Sequence, residues 1–410
     1  MQRLALPRMD GVFGWQEASK MLNKHLLTLT AGHTFADLSP GALPAMLPFF
    51  IAAGGGMNYT QAAGLSFAVS LSSTITQPVF GFFADKTSKA WLMPLGILLS
   101  GCGLSAMGFF PENYWLMFSF AIICGIGVAA YHPEGARMAN RISGKKKAGS
   151  MSIFTVGGTV GMALGPALVT PAFLYMGLRG SAVLAIPAII MCVLFFFLLP
   201  GIRRFAEEKE KVEKPAEGGL KNEWLKFIWL SVATIARSVI NHSLTIFLPL
   251  YWISVLHQSK AASAMVLSFM TIIGAVVLVA GGYLADRFGI NRIIKAGWIL
   301  LIPSLFILTK IANPFAALMM LIPISVGNYL VNSPMIVMGQ KYLPKNIGFA
   351  SGITMGLGNS IGGVITPLLG RYADAHGLTA VLGLISILPL LGIVIAFTSR
   401  APALDQPREQ

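Results

Sequence analysis

Gly81-Phe82-Phe83-Ala84-Asp85-Lys86 returns as Gly282-Tyr283-Leu284-Ala285-Asp286-Arg287, with 201 positions between Asp85 and Asp286 in a chain of 410 residues. At the same offset and without a gap, Pro133 falls on Pro334, Ser150 on Ser351, Gly157 on Gly358, Gly161 on Gly362 and Pro166 on Pro367. Agreement among turn and packing residues over so long a stretch means that the chain is two copies of one unit. Each copy ends an apolar run with Gly-x-x-x-Asp-basic. That places the acid and the cation at a membrane surface, where water and helix ends can satisfy both.

The composition requires a membrane. Hydrophobic residues make up 55% of the chain and charged residues 11%, whereas a soluble domain is about 25% charged. A spanning helix needs about 20 apolar residues, so the length allows about twelve spans and one longer linker. The net charge of +14 does not indicate a nucleic-acid partner, because such a footprint clusters on one soluble face, and here the charge follows the membrane. Cys102, Cys124 and Cys192 lie in separate apolar runs without paired spacing, which leaves packing as their role. Residues 1–24 carry Arg3, Arg8, Lys20 and Lys24 and lack an apolar core before a small-residue cleavage site, so they are expected to be a cytoplasmic tail and not a leader.

Apolar stretches fall at about 25–52, 60–84, 91–110, 114–138, 148–176 and 180–200, and again at 226–256, 261–285, 293–311, 315–340, 347–372 and 378–398. This predicts an all-α membrane protein of twelve transmembrane helices in two six-helix halves, 25–200 and 226–398. When alternate loops are assigned to opposite sides, 25 of the 30 Lys and Arg gather on one side, four on the other, and Arg237 is left inside a span. The positive-inside rule makes the first side cytoplasmic and puts both termini there, with 399–410 as a C-terminal tail. Residues 201–225, rich in Glu and Lys, form the expected cytoplasmic linker. An even number of spans in each half makes the two copies parallel. Gly157, Gly161 and Gly165 on the fifth span, and Gly358 and Gly362 on the eleventh, form strips along which helix backbones can approach closely.

The repeated loop, clearest in Gly282–Gly289, resembles the loop signature of the major facilitator superfamily of secondary transporters, which implies two parallel six-helix halves. Further segments resemble one branch, the fosmidomycin resistance protein family. They are Gly32-His33-Thr34-Phe35-Ala36-Asp37, Gln77-Pro78-Val79-Phe80-Gly81, Tyr131-His132-Pro133-Glu134-Gly135-Ala136-Arg137, Ser152–Gly158 running to Gly165-Pro166, Leu343–Gly348 with Ser351-Gly352, and Gly370-Arg371-Tyr372-Ala373-Asp374. Ala36 departs from the pattern, which has Asn before the first-span Asp. The resemblance implies efflux of a small organic compound driven by protons, without naming the compound.

Charged side chains at mid-bilayer cost about 2.5–3.5 kcal/mol on insertion scales, which makes them functional candidates. His33 and Asp37 are four apart on the first span and share a face. They read either as a proton-binding carboxylate tuned by an imidazole or as a local bend before Pro40. Arg237 is the one cation within a span, and by the 201 offset it matches Ala36, beside Asp37. It is expected either to bind an anionic group of the substrate through its planar fork or to pair with Asp37. Asn241, His242, Asn328 and Asn332 are candidates for the same substrate site. His132 and Glu134 on the fourth span are either a second proton site or, for Glu134, part of a network with Arg137, Lys86 and Asp85 that locks one conformation. Gly81, Asp85, Lys86, Arg137, Gly282, Asp286 and Arg287 are the expected gating set.

No metal is expected, because His33 and Asp37 supply two ligands where zinc needs three or four. No cofactor or enzyme motif occurs: there is no Gly-x-Ser-x-Gly, and no Gly-x-x-x-x-Gly-Lys-Ser/Thr phosphate loop, so ATP-driven pumping by this chain alone is excluded. The expected function is a proton-coupled antiporter exporting a small anionic or zwitterionic molecule by alternating access. Proton-coupled uptake uses the same residues, and a non-transporting membrane sensor or assembly factor is the rival of another class. The expected partners are a small-molecule substrate, protons and membrane lipids, with no nucleic acid. The expected state is a monomer in a cell membrane, the bacterial inner membrane.

Overall fold

In lipid, no water is available to the N–H and C=O groups of a spanning segment, so apolar runs of this length must satisfy them internally as helices. A computed structural model describes residues 23–52, 57, 59–86, 89–144, 146–212 and 221–398, and among these there is no strand. The first half comprises α1 (Lys24–Ala52), α2 (Tyr59–Lys86), α3 (Leu92–Met107), α4 (Tyr114–Ile142), α5 (Lys147–Met176) and α6 (Ala185–Val212), with a 3-10 turn over Gly177–Leu184 between the last two. The second half begins with α7 (Trp224–Ser254), α8 (Lys260–Phe288) and α9 (Ile290–Leu308). Its tenth span is α10 (Pro314–Leu330) with α11 (Asn332–Tyr342). The eleventh is α12 (Ile347–Ser351), a π-helical stretch (Gly352–Leu357) and α13 (Gly358–His376), and the twelfth is α14 (Leu378–Ile385) with α15 (Leu388–Thr398).

The twelve-helix reading of the sequence therefore stands, with local differences. The helix expected to end near residue 200 continues to Val212, so the first half of the anticipated linker is helical, and α7 already starts at Trp224. Residues 1–22, 213–220 and 399–410, where the tails and the rest of the linker were expected, lie outside the described residues. Seven segments among the described residues are long and apolar enough to cross a membrane on composition alone, one of them running from Lys147 to Lys209 through two spans. The first span is not among them, and it is the one that carries His33 and Asp37 in its interior.

Packing repeats with the sequence. α1 lies on α5, α2 and α3 lie on α4, and α3 lies on α6; in the second half α7 lies on α13, α8 and α9 on α10, and α9 on α15. The glycine strip of α5 accounts for the closest of these contacts. A Cβ at Gly157, Gly161 or Gly165 would collide with the carbonyl oxygen of Thr30, Thr34 or Leu38 respectively. Successive turns of α1 are thus seated directly on the backbone of α5, and Thr34 Oγ1 donates to the Gly157 carbonyl at 2.9 Å across the contact. Asn113 and Asn313 cap α4 and α10 by accepting from the N–H of Leu116 and Ala316 at 3.0 Å each, which fixes where the fourth and tenth spans begin.

Candidate functional site

The α1–α5 contact holds the first cluster. His33 Nδ1 lies 2.7 Å from the Phe154 carbonyl on α5, and the imidazole stacks on the Phe154 ring at 4.4 Å between centroids. His132 on α4 places Nδ1 2.7 Å from the Val128 carbonyl. Both rings turn their Nε2 atoms inward, 3.0 Å apart, with the ring planes perpendicular. Asp37 meets both: Oδ2 is 3.2 Å from His33 Nε2 and Oδ1 is 3.4 Å from His132 Nε2. The two histidines are buried, while the Asp37 side chain keeps 15% of its exposure.

Counting hydrogens constrains this cluster. A carbonyl oxygen can only accept, so each Nδ1 carries a hydrogen and each Nε2 of a neutral ring presents a lone pair. Two lone pairs 3.0 Å apart, facing a carboxylate, repel unless a cation or at least one additional proton lies among them. His132, expected beside Glu134 near the end of its span, belongs instead with His33 and Asp37. Asp37 lies against the two Nε2 atoms and not at a bend, for α1 runs on through Pro40 to Ala52.

The second copy serves as a comparison within the same chain. At the 201 offset, His33, Asp37 and His132 correspond to Thr234, Ser238 and Ser333. Three hydroxyls occupy the same positions, and Ser238 Oγ accepts from the Gly362 N–H at 3.0 Å. At these three positions the second half packs its helices with hydroxyls, so the fold does not require ionisable groups there.

Arg237 is the buried cation of that second half, 4% exposed. Its Nη2 donates to the Gly358 carbonyl at 3.2 Å, at the point where the π-helical stretch of the eleventh span passes into α13. The expected ion pair with Asp37 does not form in this conformation: Asp37 meets His33 and His132, and Arg237 meets the Gly358 carbonyl. Asn241, one turn along α7, accepts from Asn328 Nδ2 at 2.8 Å, and Asn328 Oδ1 is buried with no partner. The half-buried His242 places Nδ1 3.2 Å from the Ser238 carbonyl. Asn332 is half-buried at the start of α11, just past the break at Val331.

The loop acids clasp the two halves to one another. Asp85 accepts from the N–H of Gly348 at 2.7 Å and of Phe349 at 2.8 Å, at the start of α12 in the other half. Asp286 accepts from Ala148 at 3.0 Å and Gly149 at 2.7 Å, at the start of α5. Each acid thus meets the positive end of a helix dipole. Gly81 and Gly282 permit the approach: a Cβ on Gly81 would collide with the Gly348 carbonyl, and one on Gly282 with the Ala148 carbonyl and Ser152 Oγ. Asn140 Nδ2 donates to Gln340 Oε1 at 2.6 Å, a further bond between the halves. Of the anticipated network of Glu134 with Arg137, Lys86 and Asp85, Lys86 stands over the Phe82 ring at 4.3 Å. Arg287 is exposed and lies over Phe288. Glu134 and Arg137 are buried and form a two-pronged pair, Arg137 Nε and Nη2 donating at 2.9 and 2.8 Å.

The family profile of the Major Facilitator Superfamily matches residues 29–367. The chain belongs to this superfamily. Its relatives include an uncharacterized MFS-type transporter of Bacillus subtilis, YfnC, 28% identical with 90% of this chain and 91% of that protein covered. The fosmidomycin resistance protein of Escherichia coli is 24% identical, again with 90% and 91% covered. Among solved structures, the fucose transporter FucP in its outward conformation superposes with a TM-score of 0.69 at 15% identity, covering 92% of this chain and 98% of FucP. The human organic anion transporter MFSD10 superposes with a TM-score of 0.72 at 14% identity, covering 92% and 100%. This is a transporter and not an enzyme.

Proposed function

We propose that this superfamily member is a proton-coupled antiporter that exports a small organic anion or zwitterion by alternating access, with both termini in the cytoplasm. The observation that carries the reading is a pair of buried charge sites of opposite sign, one per half, that do not neutralise one another in this conformation. Arg237, bound to a single carbonyl, is a guanidinium with donors to spare for a carboxylate, phosphate or phosphonate. The His33–Asp37–His132 cluster needs a cation among its lone pairs, and a proton drawn from water on one side and released on the other supplies it. The hydroxyl trio of the second half argues against a non-transporting bundle, since the three equivalent positions can be packed with uncharged side chains. The name of the E. coli relative, a resistance protein, favours export over uptake.

The driving force is adequate: one charge across 100 mV is worth about 2.3 kcal/mol, which supports a gradient of about fifty-fold. Purified protein in liposomes with an imposed pH gradient tests the proposal. A panel of radiolabelled organic anions is expected to move against the proton gradient, and Asp37→Asn is expected to abolish accumulation while leaving exchange. Accumulation that ignores the pH gradient, or that runs in the same direction as the protons, would overturn the antiport reading.

A further inference from the structure

We infer that His33, His132 and Asp37 form a binding site for a divalent transition-metal ion of the zinc class, which takes the place of the proton and arrests transport. Metal binding stands without the transport reading; only the arrest rests on it.

Three features of the cluster point to a metal and not only to a proton. The first is spacing. The two imidazole Nε2 atoms stand 3.0 Å apart, and ligands at about 2.0–2.1 Å around a tetrahedral zinc are separated by about 3.3 Å. Asp37 places Oδ2 3.2 Å from one nitrogen and Oδ1 3.4 Å from the other, and one donor atom from each of the three residues lies within 4.8 Å of the other two. The nitrogens thus form one edge of a zinc tetrahedron, with the carboxylate beside them as the third ligand. The second is orientation. A metal-ligating histidine almost always gives its outer N–H to a carbonyl or carboxylate, which fixes the ring and directs the other lone pair at the metal. Both rings do this, through Phe154 and Val128, at 2.7 Å each.

The third feature is the bare backbone beside the donors. A Cβ at Gly158 would lie 2.5 Å from Asp37 Oδ2 and 2.6 Å from His33 Nε2, so only a glycine leaves these donor atoms uncovered by a side chain of α5. The residual exposure of Asp37 gives an ion a way in and leaves the fourth position for water. Two imidazoles and a carboxylate suit Zn2+ and its neighbours, whereas Mg2+ and Ca2+ prefer oxygen alone. The sequence conceals the site because its third ligand lies 99 residues from the first.

The test uses the full chain in nanodiscs, purified without an oligohistidine tag. Co2+ is added as a spectroscopic probe and then displaced by Zn2+. One equivalent of Co2+ is expected to develop the visible ligand-field bands of a four-coordinate nitrogen–oxygen site, and one equivalent of Zn2+ to remove them. His132→Gln and His33→Gln are each expected to weaken Zn2+ binding by more than the roughly 10–100-fold that loss of an outer partner costs, and Gly158→Ala to weaken it by pressing a methyl against two donor atoms. Absence of stoichiometric Co2+ bands in the unmodified protein, or Zn2+ affinity unchanged in both histidine variants, overturns the metal site whatever the transport assays give. The unmodified protein alone can give a refuting result, so the test survives a variant that fails to fold. In liposomes, micromolar Zn2+ is expected to stop proton-driven accumulation reversibly on chelation. Stoichiometric binding without inhibition would overturn the arrest while leaving the site.

Discussion

Asp85→Asn tests the clasp between the halves most directly. The carboxylate accepts two main-chain hydrogen bonds, from Gly348 and Phe349, and it is half-buried. Asparagine keeps one acceptor oxygen and turns an NH2 group toward the other N–H. One charge-assisted bond is lost, worth about 1.5–3 kcal/mol, and with it the favourable placement of negative charge at the start of α12, worth about 0.3–1 kcal/mol. After discounting for partial exposure, the clasped conformation loses about 2 kcal/mol relative to the open one, a shift of about thirty-fold in their ratio at 1.4 kcal/mol per decade. Spin labels at Lys89, beyond the end of α2, and Arg292, in the first turn of α9, both exposed, can read this by pulsed dipolar spectroscopy in a background without the native cysteines. A longer-distance population is expected to grow at the expense of the short one, with substrate affinity measured in the absence of turnover nearly unchanged. Adding Asp286→Asn should produce a further shift of similar size, since the two clasps share no residue. A distance distribution identical to that of the unmodified chain, together with abolished substrate binding, would refute the gating role.

Arg237→Lys keeps the charge but removes the fork, so an oxyanion substrate should bind less tightly while a neutral one is hardly affected, as competition binding with matched pairs would show. Gly161→Ala drives a methyl into the Thr34 carbonyl and should cost about 1–3 kcal/mol by overpacking, visible as a lowered unfolding temperature in detergent. A cysteine at Gln258 should react with an impermeant thiol reagent in intact cells and one at Lys89 should be shielded; reversed labelling would overturn the assignment of sides.

The architecture was legible because it depends on quantities that run along the chain. Hydropathy, the spacing of Asp85 and Asp286, and the one-sided placement of Lys and Arg each sum over many residues, so local errors do not accumulate. The site was legible only in part, because its chemistry depends on distances across the bundle. His33 and Asp37 were linked by helical periodicity, but nothing in the spacing ties His132 to them. The partners of Asp85 are amide hydrogens, which every residue except proline possesses, so no side chain in the sequence marks them. The expected Asp37–Arg237 pair failed for a geometric reason: repeat symmetry relates positions about an axis and is silent on how far each lies from it.

The clasps also limit how this chain can vary. A donor that belongs to the main chain survives any substitution of Phe349 or Ala148 other than proline, whereas a Cβ at Gly348 would lie 2.7 Å from the Gly81 carbonyl oxygen and 3.0 Å from Asp85 Oδ1, so each clasp is adjustable at its acid and at the glycines beside it. Drift in the strength of these two clasps must therefore pass through Asp85 and Asp286 or through the glycines that let them approach. No compensating exchange is needed at the opposite side, and a comparison of many diverged members should find the two acids varying, if at all, without a correlated partner.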